Sequence, residues 1–246
     1  MHVLLDLYGV LLDHEKTFRG YRDRLATLLA SRFGGDREAW LRAHDEAFVT
    51  YTRSTNEADW DARGYADIVD ELDATHLLDM FERVGAAEKP ANPLGLSREL
   101  EREALGGIDA RYPDARTAIE RLRRMGHRVY VATGGSATND AALRGAGLLG
   151  LVDGIFTGHS QDAQKGRAAY WADIPTRLGA KPTECVLVDD RLDYLEAAAS
   201  VGIVAVLLDR KGAHRPEAMP TYVQATLRNL AGLSQWVETW TSAHHS

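Results

Sequence analysis

The chain has 246 residues, 45% of them apolar and 26% charged, with a formal net charge of -7. That composition belongs to an ordinary soluble globular protein, long enough for one α/β domain with a sizeable insertion, and the negative balance argues against a nucleic-acid partner. No apolar run reaches the length of a membrane span and Asp6 interrupts the hydrophobic N-terminus, so no membrane partner is expected and the cytoplasm is the expected compartment.

The run His2-Val3-Leu4-Leu5 reads as a short buried strand with Asp6 at its tip and Gly9 to let the chain turn away. In an open α/β sheet, ligands bind at the carboxyl ends of the strands, so Asp6 is a candidate nucleophile or metal ligand; a capping Asp would look the same. From about Glu15 to Gly85 apolar residues recur at helical spacing among charges: Leu25, Leu28, Leu29 and Phe33, then Trp40, Leu41, Phe48 and Tyr51, then Ile68, Leu72, Leu77, Leu78 and Phe81. About four helices are expected, inserted after the first strand as a lid would be. Arg42, Arg53, Tyr51 and Trp60 could reach a substrate from such an insertion, although the same residue types commonly serve as surface and core. Residues 89–95 read as a Pro- and Gly-containing connector, Arg98 to Leu105 as a short helix, and Gly106-Gly107 as a hinge. The expected division is therefore a core of residues 1–14 and 107–246 and an inserted helical segment of residues 15–106.

Beyond Pro113 an amphipathic helix runs from Ala115 to Met125 and ends at Gly126, with Arg121, Arg123 and Arg124 on its solvated face. The strand Arg128 to Ala132 delivers Thr133-Gly134-Gly135-Ser136 to its tip, where a hydroxyl and unpaired backbone N–H groups at a helix start would suit an anion or simply cap the helix. A third strand, Gly154 to Thr157, is followed by Lys165 just before a helix through Tyr170 and Trp171; a lysine there opposes the helix dipole and hints at a partner anion or carboxylate. Cys185-Val186-Leu187-Val188 reads as a fourth strand whose single cysteine is a buried thiol, and it ends in Asp189-Asp190. A helix from Leu195 to Ser200 and a fifth strand from Ile203 to Leu208 complete the pattern. Strand, helix and strand units of this length predict an α/β fold with a doubly wound parallel sheet, its polar strand tips along one edge.

The ordered set of Asp6 followed by Gly-Val-Leu, a helical insertion, Thr133, Lys165 and the pair Asp189-Asp190 resembles the haloacid dehalogenase superfamily, over nearly the whole stretch from Val3 to Leu208. Tyr112-Pro113-Asp114-Ala115 and Leu195-Glu196-Ala197-Ala198 agree with it. The resemblance implies a Rossmann-like core with a helical cap. It also implies Asp6 as covalent nucleophile, Thr133 as the group binding the transferred moiety, Lys165 as the charge that orients it, and Asp190, with Asp189 beside it, as a magnesium ligand.

Tyr8 departs from the family's phosphatases, which carry there the Asp that serves as general acid, whereas the 2-haloacid dehalogenases of the same superfamily carry Tyr. Halide leaves without a proton, so displacement at carbon needs neither that acid nor magnesium. Asp189 and Asp190 point the other way, because the dehalogenases have neutral Ser and Asn at those places. Two unit charges about 4 Å apart repel by roughly 4 kcal/mol at an effective dielectric near 20, and Lys165 can neutralise only one of three carboxylates. The ligand set Asp6, the Tyr8 backbone carbonyl, Asp190 and Asp189 suits magnesium. Tyr194 stands where the fourth motif usually ends in Asp or Asn, and Gly134 where dehalogenases place Asn. The expected protein is a magnesium-dependent phosphohydrolase, monomeric or homodimeric, acting on a small anionic phosphorylated metabolite bound by Tyr8, Gly134, Gly135 and Arg42. The alternatives are a metal-independent 2-haloacid dehalogenase and a weakly active or non-catalytic anion-binding relative.

Overall fold

The computed structural model describes residues 1–214 and 219–244. In chain order its strands are β1 (His2–Leu5), β2 (Arg128–Ala132), β3 (Gly154–Phe156), β4 (Cys185–Asp189), β5 (Val204–Leu208) and β6 (Val223–Leu227). Its helices are α1 (His14–Phe33), α2 (Arg37–Glu57), α3 (Tyr65–Val84), α4 (Pro93–Leu105), α5 (Ala115–Arg124), α6 (Asn139–Gly145), α7 (Gly158–Gln161), α8 (Ala168–Trp171), α9 (Ile174–Arg177), α10 (Leu192–Ser200) and α11 (Leu233–His244). None of the described helices is long and apolar enough to cross a membrane.

The chain divides into two compact units. The first comprises Met1–His14, Arg111–Gly134 and the described residues from Leu148 onward; the second comprises Glu15–Ala110 and Gly135–Gly147. In the first unit all six strands are parallel, in the order β3-β2-β1-β4-β5-β6, and along the chain described helices separate each strand from the next up to β5. This is the doubly wound α/β core that the strand and helix pattern predicts. Apart from His2 and Asp189 at their ends, strands β1, β4 and β5 are continuous apolar runs because both faces of the sheet are covered. Leu4, Cys185, Leu187, Ala205 and Leu207 pack with Tyr170, Trp171 and Ile174 in one buried cluster. Cys185 is buried there as a free thiol, pushed up to about 11 by the low-polarity surroundings.

The second unit is helical. Leu25 and Leu29 of α1, Trp40, Ala43 and Ala47 of α2, Leu77, Met80 and Phe81 of α3, and Leu100 of α4 recur three or four residues apart and meet in one core. Each large side chain so buried stabilises the unit by about 1.5–3 kcal/mol relative to exposure. Phe33 and Phe48 do not join it fully, being 43% and 37% exposed.

Several elements differ from the sequence expectation. Only three helices occupy residues 15–85, and the fourth begins at Pro93 rather than Arg98. Pro93 needs no N–H donor at N1, and the Asn92 side chain accepts from the Gly95 N–H, so the helix is capped inside the presumed connector. The helix after Lys165 is a single turn, α8, and Pro175 opens a second turn, α9. Strand β6 and helix α11 extend the fold beyond Leu208.

Candidate active site

Register decides which side chains meet. Strand β1 lies between β2 and β4, and Leu5 pairs with both Val131 and Val188. One step further, at the carboxyl edge, the chain places Asp6 beside Asp189, and the Asp6 N–H donates to the Val188 carbonyl at 3.0 Å. Thr133 emerges from β2 at the same edge, buried, its N–H donating to Phe156 at 2.9 Å.

After Asp6 the chain must turn back sharply. The Leu11 and Leu12 N–H groups donate to the Leu7 carbonyl at 3.1 and 2.8 Å, and the Gly9 N–H donates to Leu12 at 2.8 Å. Gly9 has φ of +96°, and a Cβ there would lie 2.2 Å from Asp190 Oδ2. Both the left-handed backbone and the close approach to Asp190 therefore require glycine. Tyr8, half-buried in this turn, sets its ring edge-on to His14 at 6.1 Å.

Lys165 enters the carboxylate cluster from the turn before α8. Its ammonium donates to Asp6 Oδ1 and, at 2.6 Å, to Asp189 Oδ2. Lys165, Asp189 and Asp6 are 2%, 0% and 6% exposed, whereas Asp190 faces solvent. Carboxylate oxygens of Asp6, Asp189 and Asp190 all lie within 4.8 Å of one another. The Arg191 N–H donates to Asp189 Oδ1 at 2.9 Å, and the Tyr194 ring lies 4.9 Å from the Lys165 ammonium and 4.3 Å from the Arg191 guanidinium.

The cluster holds three acids against one buried ammonium, and its proton affinities show the imbalance. Burial pushes the Asp6 carboxyl up to about 7; Lys165 opposes that shift, and Asp189 and Asp190 reinforce it. Partial desolvation of its solvent-facing carboxyl, with the charge of Asp189, raises Asp190 as well. Desolvation works against the Lys165 charge, but Asp189 and Asp6 outweigh it and hold the ammonium above its ordinary range. A divalent cation fits such a surplus of hard oxygen donors better than a second proton does.

Two aromatic side chains prop the site from behind. The Tyr170 hydroxyl reaches the carbonyls of Thr133 and Phe156 at 2.9 and 2.8 Å, and the Trp171 indole N–H donates to the Lys165 carbonyl at 2.8 Å. Tyr170 and Trp171 are visible in the sequence only as aromatics in a helix; nothing local marks them as supports for Thr133 and Lys165.

A family model described as haloacid dehalogenase-like hydrolase matches residues 1–202. The chain belongs to that family. Among curated relatives, phosphatase MT3486 of Mycobacterium tuberculosis is 36% identical over 132 residues, 49% of this hydrolase and 61% of that protein. The enolase-phosphatase E1 of Azotobacter vinelandii is 29% identical over 103 residues, 41% of this chain and 45% of its own length. The matches thus span less than two thirds of either relative. Among solved structures, the 2-haloacid dehalogenase from Pseudomonas syringae pv. Tomato DC3000 superposes with a TM-score of 0.71 at 20% identity, covering 97% of this chain and 98% of that one. A HAD phosphatase from Thermococcus onnurineus gives 0.64 at 22% identity over 96% and 97% of the two chains. At these identities the structural likeness speaks for the fold alone.

Within this hydrolase, Asp6, Lys165, Asp189 and Asp190 come together in the first unit, with Tyr8, Thr133 and Gly134 on the same unit's strand-tip loops. Gly135 and Arg42 belong to the second unit. The Gly135 N–H donates to the Tyr65 hydroxyl at 3.3 Å, and Arg42 is exposed on α2. Tyr51 and Trp60, the other aromatic candidates, are engaged within their own unit: the Tyr51 hydroxyl donates to Asp73 at 3.3 Å, and the Trp60 indole donates to the Thr55 carbonyl at 3.1 Å.

Proposed function

We propose that this hydrolase is a magnesium-dependent phosphohydrolase acting on a small phosphorylated metabolite, with Asp6 as covalent nucleophile. The observation that carries the reading is the trio Asp6, Asp189 and Asp190 within 4.8 Å of one another with Lys165 as the ammonium set among them. The residues present fit a hard cation: Asp6, Asp190 and the Tyr8 carbonyl would hold it, with Asp189 behind them tied to Lys165. Bound there, magnesium supplies positive charge against the phosphoryl oxygens.

An Asp6 carboxylate oxygen attacks phosphorus, the bond to the ester oxygen breaks, and the leaving group departs with the electron pair, giving an aspartyl phosphate. Water then attacks that phosphorus, the aspartyl oxygen leaves, and inorganic phosphate and the Asp6 carboxylate are regenerated. Lys165 fixes the Asp6 carboxylate in place, and the Thr133 hydroxyl with the Gly134 backbone is suited to receive the phosphoryl oxygens. The partially matching phosphatases support phosphate esters as the substrate class. Tyr8 favours a second reading, displacement of halide from a 2-halocarboxylate, since that chemistry needs no proton donor.

Asp6→Asn tests the assignment. Phosphate release from a panel of aryl and acyl phosphates should fall at least about 10³-fold with the circular dichroism spectrum unchanged, because the amide neither attacks nor carries charge. Retention of most of the activity would place the nucleophile elsewhere.

A further inference from the structure

Arg210 lies two residues beyond β5, and its guanidinium fork reaches both the turn after Asp6 and the Asp114 carboxylate. Nε donates to the Gly9 carbonyl at 3.3 Å and one terminal nitrogen to the Val10 carbonyl at 2.8 Å. The same fork binds Asp114 twice, at 2.9 and 3.0 Å, and the guanidinium carbon sits 3.9 Å from the Tyr112 ring centroid. Asp114 is itself anchored, accepting the Leu230 N–H at 2.7 Å. Arg210 and Asp114 side chains are only 16% and 19% exposed, so this is an interior bracket and not a surface ion pair.

What the bracket grips is the turn that carries the chemistry. Gly9 and Val10 follow Asp6 and Tyr8 directly, and the Gly9 backbone packs against the Asp190 carboxylate so closely that no Cβ fits. The turn's own hydrogen bonds, from Leu11 and Leu12 to Leu7 and from Gly9 to Leu12, end on the Leu7 and Leu12 carbonyls. The outward carbonyls of Gly9 and Val10 are held by Arg210.

We propose that Arg210, seated by Asp114 and Tyr112, is a positioning residue for the reaction: it fixes the residue 7–12 turn and thereby the spacing of Asp6, the Tyr8 carbonyl and Asp190. The proposal rests on the phosphohydrolase reading for its kinetic consequence, though not for its structural one. A planar fork reaching two carbonyls and a carboxylate at once has no equivalent in a lysine, whose ammonium is a point charge on a flexible stem. Lysine at 210 should therefore fail to restore what alanine removes.

The test compares Arg210→Ala, Arg210→Lys and Asp114→Asn with the wild-type chain by three measurements. Hydrogen exchange in metal-free protein reads the turn directly: the Leu11 and Leu12 amides should exchange at least about 10-fold faster in Arg210→Ala, while amides of β4 stay protected. Calorimetry with magnesium chloride should show binding weakened about 10-fold. Turnover of an aryl phosphate should lose about 10²-fold in kcat with KM within twofold, since a misplacement near 1 Å has that cost, and added guanidinium at low millimolar concentration should recover part of it in Arg210→Ala. A merely structural arginine would lower the melting temperature and leave kcat of the folded enzyme, the guanidinium response and the turn amides alone. Asp114→Asn, which keeps the shape and removes the charge, should shift all three in the same direction by less, and it serves as the test if Arg210→Ala does not fold. Unchanged exchange of the turn amides in a folded variant overturns the proposal. A wild-type protein with no phosphate release overturns the phosphohydrolase reading instead, and the exchange result still decides the role of Arg210.

Discussion

Tyr8 is the residue on which the type of reaction turns. It occupies the half-buried turn after Asp6, two positions along, with its ring against His14. A phenol, with a reference pKa of about 10, is a poor proton donor near neutrality, so leaving groups that need protonation should suffer by about 10²- to 10⁴-fold. Aryl and acyl phosphates, whose leaving groups depart as anions, should be spared, and the rate should track leaving-group pKa steeply. Tyr8→Asp puts a carboxyl at that position, and in the presence of magnesium it should raise turnover of alkyl phosphates more than of aryl ones. Equal or lower rates for every leaving group would make Tyr8 a packing or substrate-contacting residue. This consequence was legible in the sequence, because it depends on the identity of one side chain beside a known neighbour. The role of Arg210 was not: it is 201 positions from Gly9, and only the folded sheet brings them together.

Among the elements, the helices of the second unit carry their own pH response. His44 is completely buried on α2, its ring 5.4 Å from that of His76 on α3, with Phe18, Tyr21, Phe48 and Tyr51 packed around the pair. Among the described residues, the Nε2 atoms of both histidines have no hydrogen-bond partner. The charged groups facing them are Asp45, whose Oδ1 lies 3.5 Å from His44 Nδ1 and which is paired with Arg22 at 2.7 Å, and Asp79. Burial, with a smaller effect from His44, pushes His76 down to about 4, and burial lowers His44 too. A histidine with a depressed folded-state pKa stabilises the fold above its unfolded value near 6.5 and loses that contribution as pH falls, because the unfolded chain takes up the proton first. Stability of the helices should therefore drop between pH 6.5 and 4, by at most on the order of 3 kcal/mol from His76. Denaturant melts followed by circular dichroism would show it, and His76→Leu should flatten the slope; an equal slope in that variant would assign the acid sensitivity to other groups. The helices themselves were legible from their apolar stripes. The wiring between them was not, as with Glu101 of α4 accepting from Ser136 at 3.0 Å and from Thr138, contacts across more than thirty residues. Strand β6, Val-Gln-Ala-Thr-Leu, alternates apolar and polar residues with the period of two that a half-exposed edge strand shows, so it too was legible, although the expected pattern ended at Leu208.

For the molecule as a whole, the sequence motifs could order the candidate site residues along the chain, while the parallel register was needed to set Asp6 beside Asp189 and to show Lys165 bonded to both. That arrangement leaves an excess of negative charge at one sheet edge of a chain already carrying a net charge of -7. Both substrates would bring a further anion, but the two reaction types differ in where the charge falls: phosphoryl transfer to Asp6 would set charged phosphoryl oxygens at the reacting atom beside the carboxylates, whereas displacement at carbon puts none there and requires no cation. If the phosphohydrolase reading holds, magnesium binds the native state alone and raises its stability by mass action, about 2.7 kcal/mol at a hundred times the dissociation constant. Thermal melts across a magnesium series should then shift upward, Asp190→Ala should abolish the shift, and phosphate release should vanish in excess chelator. The same preparation offered 2-halocarboxylates should release no halide. Halide release undiminished by chelator, with melts indifferent to magnesium, would make the carboxylate excess a feature held by Lys165 and protons alone and would give Tyr8 the deciding weight, in favour of displacement at carbon.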